Sequence, residues 1–274
     1  MRHMKTIFFS LSSSAVYRNL FFFPESVFTL LKEYLRAHAD TRVVIIVPLP
    51  FRNKYMPFLA EDNLKEQIIV EVIDVPMKKN FFQQVFYFIY SYLIFTGTTR
   101  IMATMGARLD EPPAGGRWYL APLKSAIARS LGRSAWIKRR VVPWLWLIFF
   151  TDRPFAALFD RYNPDIVFMP HLYGGFDTVL LGEAKRRGIS TLGMPAGWDH
   201  LDKYFLPLHT DRLLVPSGQV RRMAMQHQAY LSDQINGVGF PYFDFVTRKE
   251  YLLPRHAVLT DLGFREDTQY ILYV

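Results

Sequence analysis

Cysteine is absent from the 274 residues, which excludes disulfides and thiolate metal sites and fits a reducing, cytoplasmic setting. No Asp-x-Asp occurs, which counts against a transferase that holds a divalent cation between paired carboxylates. The seven histidines show neither His-x-His nor His-Glu-x-x-His spacing, so no bound metal and no cofactor are expected. Also missing are a repeat of fixed period, a low-complexity tract and an apolar run long enough to span a bilayer. The two most apolar stretches run from Phe81 to Phe95 and from Val141 to Phe150. As helices they reach roughly 23 and 15 Å, against a hydrocarbon core of about 30 Å. The opening MRHMKTIFFSLSSSA has the basic start and small-residue end of a signal peptide, but its apolar core TIFFSL is too short for a secretory leader. It reads instead as a first strand followed by a Ser-rich loop, with Met4 an alternative start.

What is present is a core and a localised charge. Half of the residues are hydrophobic, enough for a globular fold without covalent staples. The formal charge is +9, and the stretch from Val75 to Thr151 accounts for all of it, with eleven Lys/Arg against Asp110 and Glu111. One region, not the whole surface, is therefore set up to meet an anion.

Along the chain, KTIFFS reads as a strand, PESVFTLLKEYLRAHA as a helix with Val27, Leu30, Leu31, Tyr34 and Leu35 at helical spacing, and TRVVIIVP as a strand buried on both faces. IIVEVID from Ile68 to Asp74 supplies a third strand. A helical basic and aromatic insert comes next, about residues 78–162. The rhythm returns with PDIVFMP, a helix over GGFDTVLLGEAKRRG ended by Gly188, the strand ISTLGMP, the strand DRLLVPS, a helix from about Gln219 to Tyr230, and INGVGFP. This alternation predicts an α/β fold, a Rossmann-like parallel sheet with helices on both faces, over residues 1–246. Residues 247–274 read as a linker with a short helix and one more strand, TQYILYV, the start of a second domain that the chain does not contain.

Three stretches carry a resemblance to a family: SSSAVYRNLFF with Arg18 and Asn19, GISTLGMPAGWDHLDKYFLPLHTDRLLVPS with Trp198, Asp199 and His200, and INGVGFPYFDF. They resemble the amino-terminal half of GT-B glycosyltransferase-like proteins of bacterial surface polysaccharide biosynthesis, similar in pattern to CDP-glycerol glycerophosphotransferases and UDP-GlcNAc 2-epimerase-like proteins. Where such proteins more often have Asn, this chain has His200. The resemblance implies a metal-independent enzyme that takes a nucleotide sugar as substrate and a carbohydrate or lipid-linked acceptor, with this chain as the acceptor-side half, inactive alone. Glycerophosphate transfer, 2-epimerisation and a non-catalytic membrane-surface or assembly module are the alternatives. GVGFPY at Gly237 lacks the third glycine of a dinucleotide fingerprint and marks only a turn.

In an open α/β sheet, ligands sit beyond the carboxyl ends of the strands. Arg18 there has the fork to clamp a phosphate or carboxylate, and Asn19 can bond a hydroxyl. His171 directly follows PDIVFMP and precedes Gly174-Gly175, a place where a general base faces an acceptor hydroxyl. Asp199 and His200 follow ISTLGMP with Lys203 just beyond, and Trp198 offers a flat apolar face of the kind sugars stack on. Sequence leaves open whether His171 or Asp199 is the catalytic base.

Between Glu111 and Asp152 lie seven basic residues and no acid. Lys138, Arg139 and Arg140 beside Trp144 and Trp146 match a surface resting in anionic headgroups on the inner face of the plasma membrane, with aromatics at the interface. Nucleic acid is not expected as a partner, because the aromatics form dense apolar runs instead of alternating with cations along a groove.

Overall fold

A computed structural model describes residues 4–21, 26–59, 66–76, 78–99, 118–241, 243, 253–265, 267 and 269. In chain order the principal elements are β1 Lys5–Ser10, α1 Ser14–Leu20, α2 Val27–Ala37, β2 Thr41–Pro48, α3 Arg52–Leu59, β3 Ile68–Ile73 and α4 Phe81–Ser91. Then come α5 Ala121–Arg129, a π turn Ile137–Val141 running into α6 Val142–Phe149, and α7 Ala156–Tyr162. The chain goes on to form β4 Ile166–Met169, α8 Gly175–Arg187, β5 Ser190–Gly193, α9 His200–Lys203, β6 Arg212–Val215, α10 Gly218–Gln226, β7 Ile235–Gly237 and α11 Arg255–Asp261. The expected strand TQYILYV lies outside the described residues apart from Gln269.

The seven strands make one sheet in the order β3-β2-β1-β4-β5-β6-β7, every pair parallel. This is the doubly wound α/β fold that the alternating elements predict. The chain builds outward from β1 in one direction, then returns to β1 and builds the other way from β4. The seam between β1 and β4 is therefore the topological switch point, where a crevice opens at the carboxyl ends.

Side chains alternate across the sheet into two cores. Phe8, Val44, Ile46, Val167 and Met169 face the core shared with α4, α6, α7, α8 and α10. Phe9, Val43, Ile45 and Val47 face the one shared with α1, α2 and α3. Val43 through Val47 are all fully buried, so every residue of TRVVIIVP's centre contributes on the order of 1.5–3 kcal/mol of burial, whichever way it points.

Helix ends obey local chemistry. Ser26 caps α2 by accepting from Thr29 N, and Asn80 with Gln83 forms a capping box at the start of α4. Gly188 ends α8 in the left-handed region at φ +67, a conformation that costs a residue with a Cβ. Two helical expectations change. In α2 the core takes Phe28 and Leu35 with Val27 and Leu31 packed against it, while Leu30 and Tyr34, on the edge of the stripe read in sequence, are exposed. The helix after β6 ends at Gln226, short of Tyr230.

The described part of the basic insert is helical, and it covers one side of the larger core. Two of its five expected membrane-surface residues are buried. Trp146 is only 2% exposed because its ring lies over Gly182 of α8, where a Cβ would come 2.3 Å from Cζ3. Lys138 is turned inward by the π turn, and its Nζ donates to the carbonyl of His227 at 3.0 Å. Arg139, Arg140 and Trp144 are less enclosed, with Trp144 61% exposed. Among the described residues no helix is long and apolar enough to cross a membrane.

Candidate functional site

Four polar side chains meet at the switch point. Ser10 ends β1 and Ser12 lies just after it; His171 follows β4, and Asp177 sits in the first turn of α8. Asp177 is 2% exposed. One of its oxygens, Oδ1, accepts from Ser10 Oγ at 2.6 Å; the other, Oδ2, accepts from Ser12 Oγ at 2.6 Å and lies 2.8 Å from His171 Nδ1. An ionised carboxylate only accepts, so the His171 Nδ1–H is the donor to it and Nε2 is the ring nitrogen left over. No hydrogen bond to Nε2 exists among the described residues, and the side chain retains 17% exposure.

The backbone makes this arrangement possible. Gly174 caps α8 at φ +107, a conformation open to glycine, and turns the chain so that residues 171 and 177 face each other across the start of the helix. The helix N-terminus adds a favourable field for the buried carboxylate. Sequence does not single out Asp177. Its signal there is only an acid in the first turn of a helix, which reads as ordinary capping.

The next loop, after β5, carries a second histidine and a second aspartate in a different state. His171 and His200 have ring centroids 5.8 Å apart, and the Tyr173 ring stands edge-on to His200 at 4.8 Å. Burial, with the nearby His171, pushes the His200 imidazole from 6.5 down to about 4, and its Nδ1 is buried without a hydrogen-bond partner among the described residues. Asp199 precedes α9 and is ion-paired with Lys203. Burial raises the Asp199 carboxyl, but the hydrogen bond and charge of Lys203 outweigh it, and the net shift is downward. Trp198 is 66% exposed, its ring not packed into the domain.

Thus the structure brings His171, Trp198, Asp199, His200 and Lys203 to the carboxyl ends of two adjacent strands. Arg18 and Asn19 follow β1 on the same edge, but they lie within helix α1 and not in a loop, because Ser13 caps a helix by accepting from Val16 N. Their side chains lie outside what the structure describes. No three His, Asp or Glu side chains converge as a metal would require, among the described residues.

Beside His171 a cavity of about 150 Å³ opens between the insert and the main sheet. Its walls include Tyr87 and Tyr90 of α4, Trp146 of α6, and the segment from Leu172 to Gly175. Lys78, Lys79 and Asp152 bring charge to it. Burial lowers the Lys79 pKa, and its ammonium sits 4.7 Å from the Tyr87 ring centroid. The outer faces of the same two helices expose Phe81, Phe82, Val85, Trp144, Ile148 and Phe149. These faces adjoin, since Phe86 contacts Phe149 and Gln83 Nε2 donates to the Phe149 carbonyl.

No protein-family model matches this sequence, and neither does any curated protein. Among solved structures, the chain is similar to a glycosyltransferase from Rickettsia africae ESF-5, with 12% identity, 96% of this chain and 50% of that one covered, and a TM-score of 0.46. It is also similar to Arabidopsis thaliana UGT89C1 complexed with quercetin, with 12% identity, coverage of 94% and 55%, and a TM-score of 0.40. The same plant protein complexed with UDP-L-rhamnose gives 11% identity, coverage of 89% and 54%, and a TM-score of 0.34. The chain spans about half the length of each of these structures.

Proposed function

We propose that this chain is the acceptor-side half of a GT-B glycosyltransferase that transfers a sugar from a nucleotide sugar to a carbohydrate or lipid-linked hydroxyl. One observation carries the reading: a buried carboxylate, Asp177, fixes the Nδ1–H of His171 at the switch point and leaves Nε2 free. A neutral imidazole held this way is a general base for a weakly acidic hydroxyl. The acceptor O–H gives its proton to Nε2 and the oxygen attacks the anomeric carbon. The bond from that carbon to the donor's phosphate oxygen then breaks, and the nucleoside diphosphate leaves. Asp177 stabilises the imidazolium that forms.

Asp199, tied to Lys203, is in this reading a binding residue and not the base. Trp198 offers an exposed face for a sugar ring, and the cavity beside His171 takes the rest of the acceptor. The exposed apolar face of α4 and α6, flanked by Lys78 and Arg140, rests on an anionic bilayer at its cytoplasmic side and presents lipid-linked acceptors to that cavity. The donor is held by a second domain. The test is nucleotide release in a protein carrying both halves: His171→Ala lowers kcat by orders of magnitude, and Asp199→Asn raises the Michaelis constant for the acceptor while leaving kcat nearly unchanged. Full transfer by His171→Ala would sink the assignment.

A further inference from the structure

On the far side of the insert lies a second, wider cavity, a groove of about 530 Å³. It runs between the turn after α4, the end of α5, the π turn and the end of α10. Four cations line it, Arg129, Arg133, Lys138 and Arg139, and no carboxylate does. Other arginines of the molecule are held by acids: Arg153 and Arg187 by the buried Glu183, Arg161 by Glu71. The three groove arginines are exposed and have no ion pair among the described residues.

The floor of the groove is the more telling part. Lys138 is 6% exposed, yet among the described residues its ammonium has only the His227 carbonyl at 3.0 Å and the face of the Phe205 ring, 5.6 Å to the centroid. An ammonium has three donors to place, and a buried cation without a counter-ion is costly. Burial accordingly lowers its pKa to about 8. Two backbone features build the site around it. The π turn at Ile137–Val141 inserts an extra residue per turn, so that Lys138 points in while Arg139 points out. Gly132 lies against the backbone of the turn after α4, where a Cβ would come 2.1 Å from the Leu93 carbonyl oxygen, so this wall closes only with glycine.

We propose that this groove binds a phosphate-bearing anion, with the guanidinium forks of Arg129, Arg133 and Arg139 on its oxygens and the Lys138 ammonium completing the shell from below. Arginine suits phosphoryl oxygens because its planar fork pairs two donors with two acceptors. The phosphate belongs either to a soluble phosphorylated compound or to a lipid headgroup. The site is separate from the His171 crevice and does not depend on the transfer reaction proposed for that crevice.

Two binding assays on the intact chain test it at constant ionic strength, one with inorganic pyrophosphate by calorimetry and one with phosphatidylcholine vesicles with and without phosphatidylglycerol by co-sedimentation. Arg133→Glu/Arg139→Glu is compared with the wild type, and Arg133→Lys/Arg139→Lys serves as the variant that keeps both charges and the packing. Circular dichroism checks that each is folded. Saturable pyrophosphate binding that weakens about 30-fold in the Glu pair, roughly 2 kcal/mol, and less in the Lys pair supports a soluble phosphate ligand. Binding confined to phosphatidylglycerol vesicles, and lost in the Glu pair, supports a lipid phosphate. Absence of both, or binding that neither pair changes, overturns the proposal. Lys138→Met removes the floor charge while keeping its apolar stem, and it must weaken whichever binding is seen.

Discussion

The loops after β4 and β5 each present a histidine and an aspartate to the same crevice, yet their physics is opposite. After β4 the pair is coupled: Asp177 is buried, three donors converge on it, and one of them is the ring N–H of His171. After β5 no hydrogen bond joins the pair, since Asp199 is ion-paired with Lys203 and the His200 Nδ1 has no hydrogen-bond partner among the described residues. A histidine becomes a base when something fixes its tautomer and stabilises its charged form. Burial without such a partner does the reverse, and at His200 it lowers the pKa together with the nearby His171. Composition alone does not distinguish the loops; only the partner of the second nitrogen does.

The widest gap between the loops is expected in catalysis. Asp177→Asn puts an amide N–H where Oδ2 or Oδ1 now accepts, so the His171 tautomer is lost along with the charge. Transfer in a protein carrying both halves should fall on the order of 10³–10⁴-fold, and His171→Ala, which removes the base itself, should cost at least as much. A matching loss from His200→Gln would erase the distinction between the two loops.

A smaller effect separates pre-organisation from mere proximity. Ser10 is fully buried, and its hydroxyl donates to the Asp177 carboxylate. Ser10→Ala takes one charge-assisted bond from a carboxylate that water cannot reach. Urea unfolding should show a loss of about 1.5–3 kcal/mol. If stability is unchanged while transfer drops, the serine positions the carboxylate without contributing to the fold.

Titration sharpens the contrast from the other side. His200 should show a midpoint near 4 by NMR, well below the ordinary 6.5. The sign is fixed by burial: the folded state favours the neutral ring, so the stability it contributes is complete above pH 6.5 and is lost as pH falls toward 4. A midpoint near 6.5 would mean that the ring is hydrated and that the β5 loop opens to water.

Much of the fold is legible in sequence. Each of the seven strands falls within a segment that the alternation of elements assigns to the sheet, and Gly188 marks the end of α8 by its chemistry. Helix phase is harder. In VVPWLWLIFF every residue is apolar, so nothing local says that Trp146 faces in and Trp144 out; the answer is supplied by Gly182 on another helix. Lys138 is misread for a related reason, since a π turn shifts the helical phase of the residues within and beyond it. Arg18 and Asn19 read as loop because serines precede them, although Ser13 is a helix cap. Asp177 is invisible as a site residue because its partners Ser10 and Ser12 lie more than 160 positions away. Sheet topology, by placing β1 next to β4, is what brings them together.

The weakest effect belongs to the loop that looks equally promising in sequence. Asp199 and Lys203 pair near the surface, where solvent screens the charges and ordering two side chains costs entropy. Asp199→Asn or Lys203→Met should each change stability by about 1 kcal/mol or less. Because neither group touches His171 Nδ1, transfer should change mainly through the Michaelis constant, as expected for residues that hold an acceptor without moving a proton. Steady-state kinetics at saturating donor separates the cases. A fall in kcat for Asp199→Asn as large as that for His171→Ala would place the proton transfer on the β5 loop and reverse the roles of the two loops.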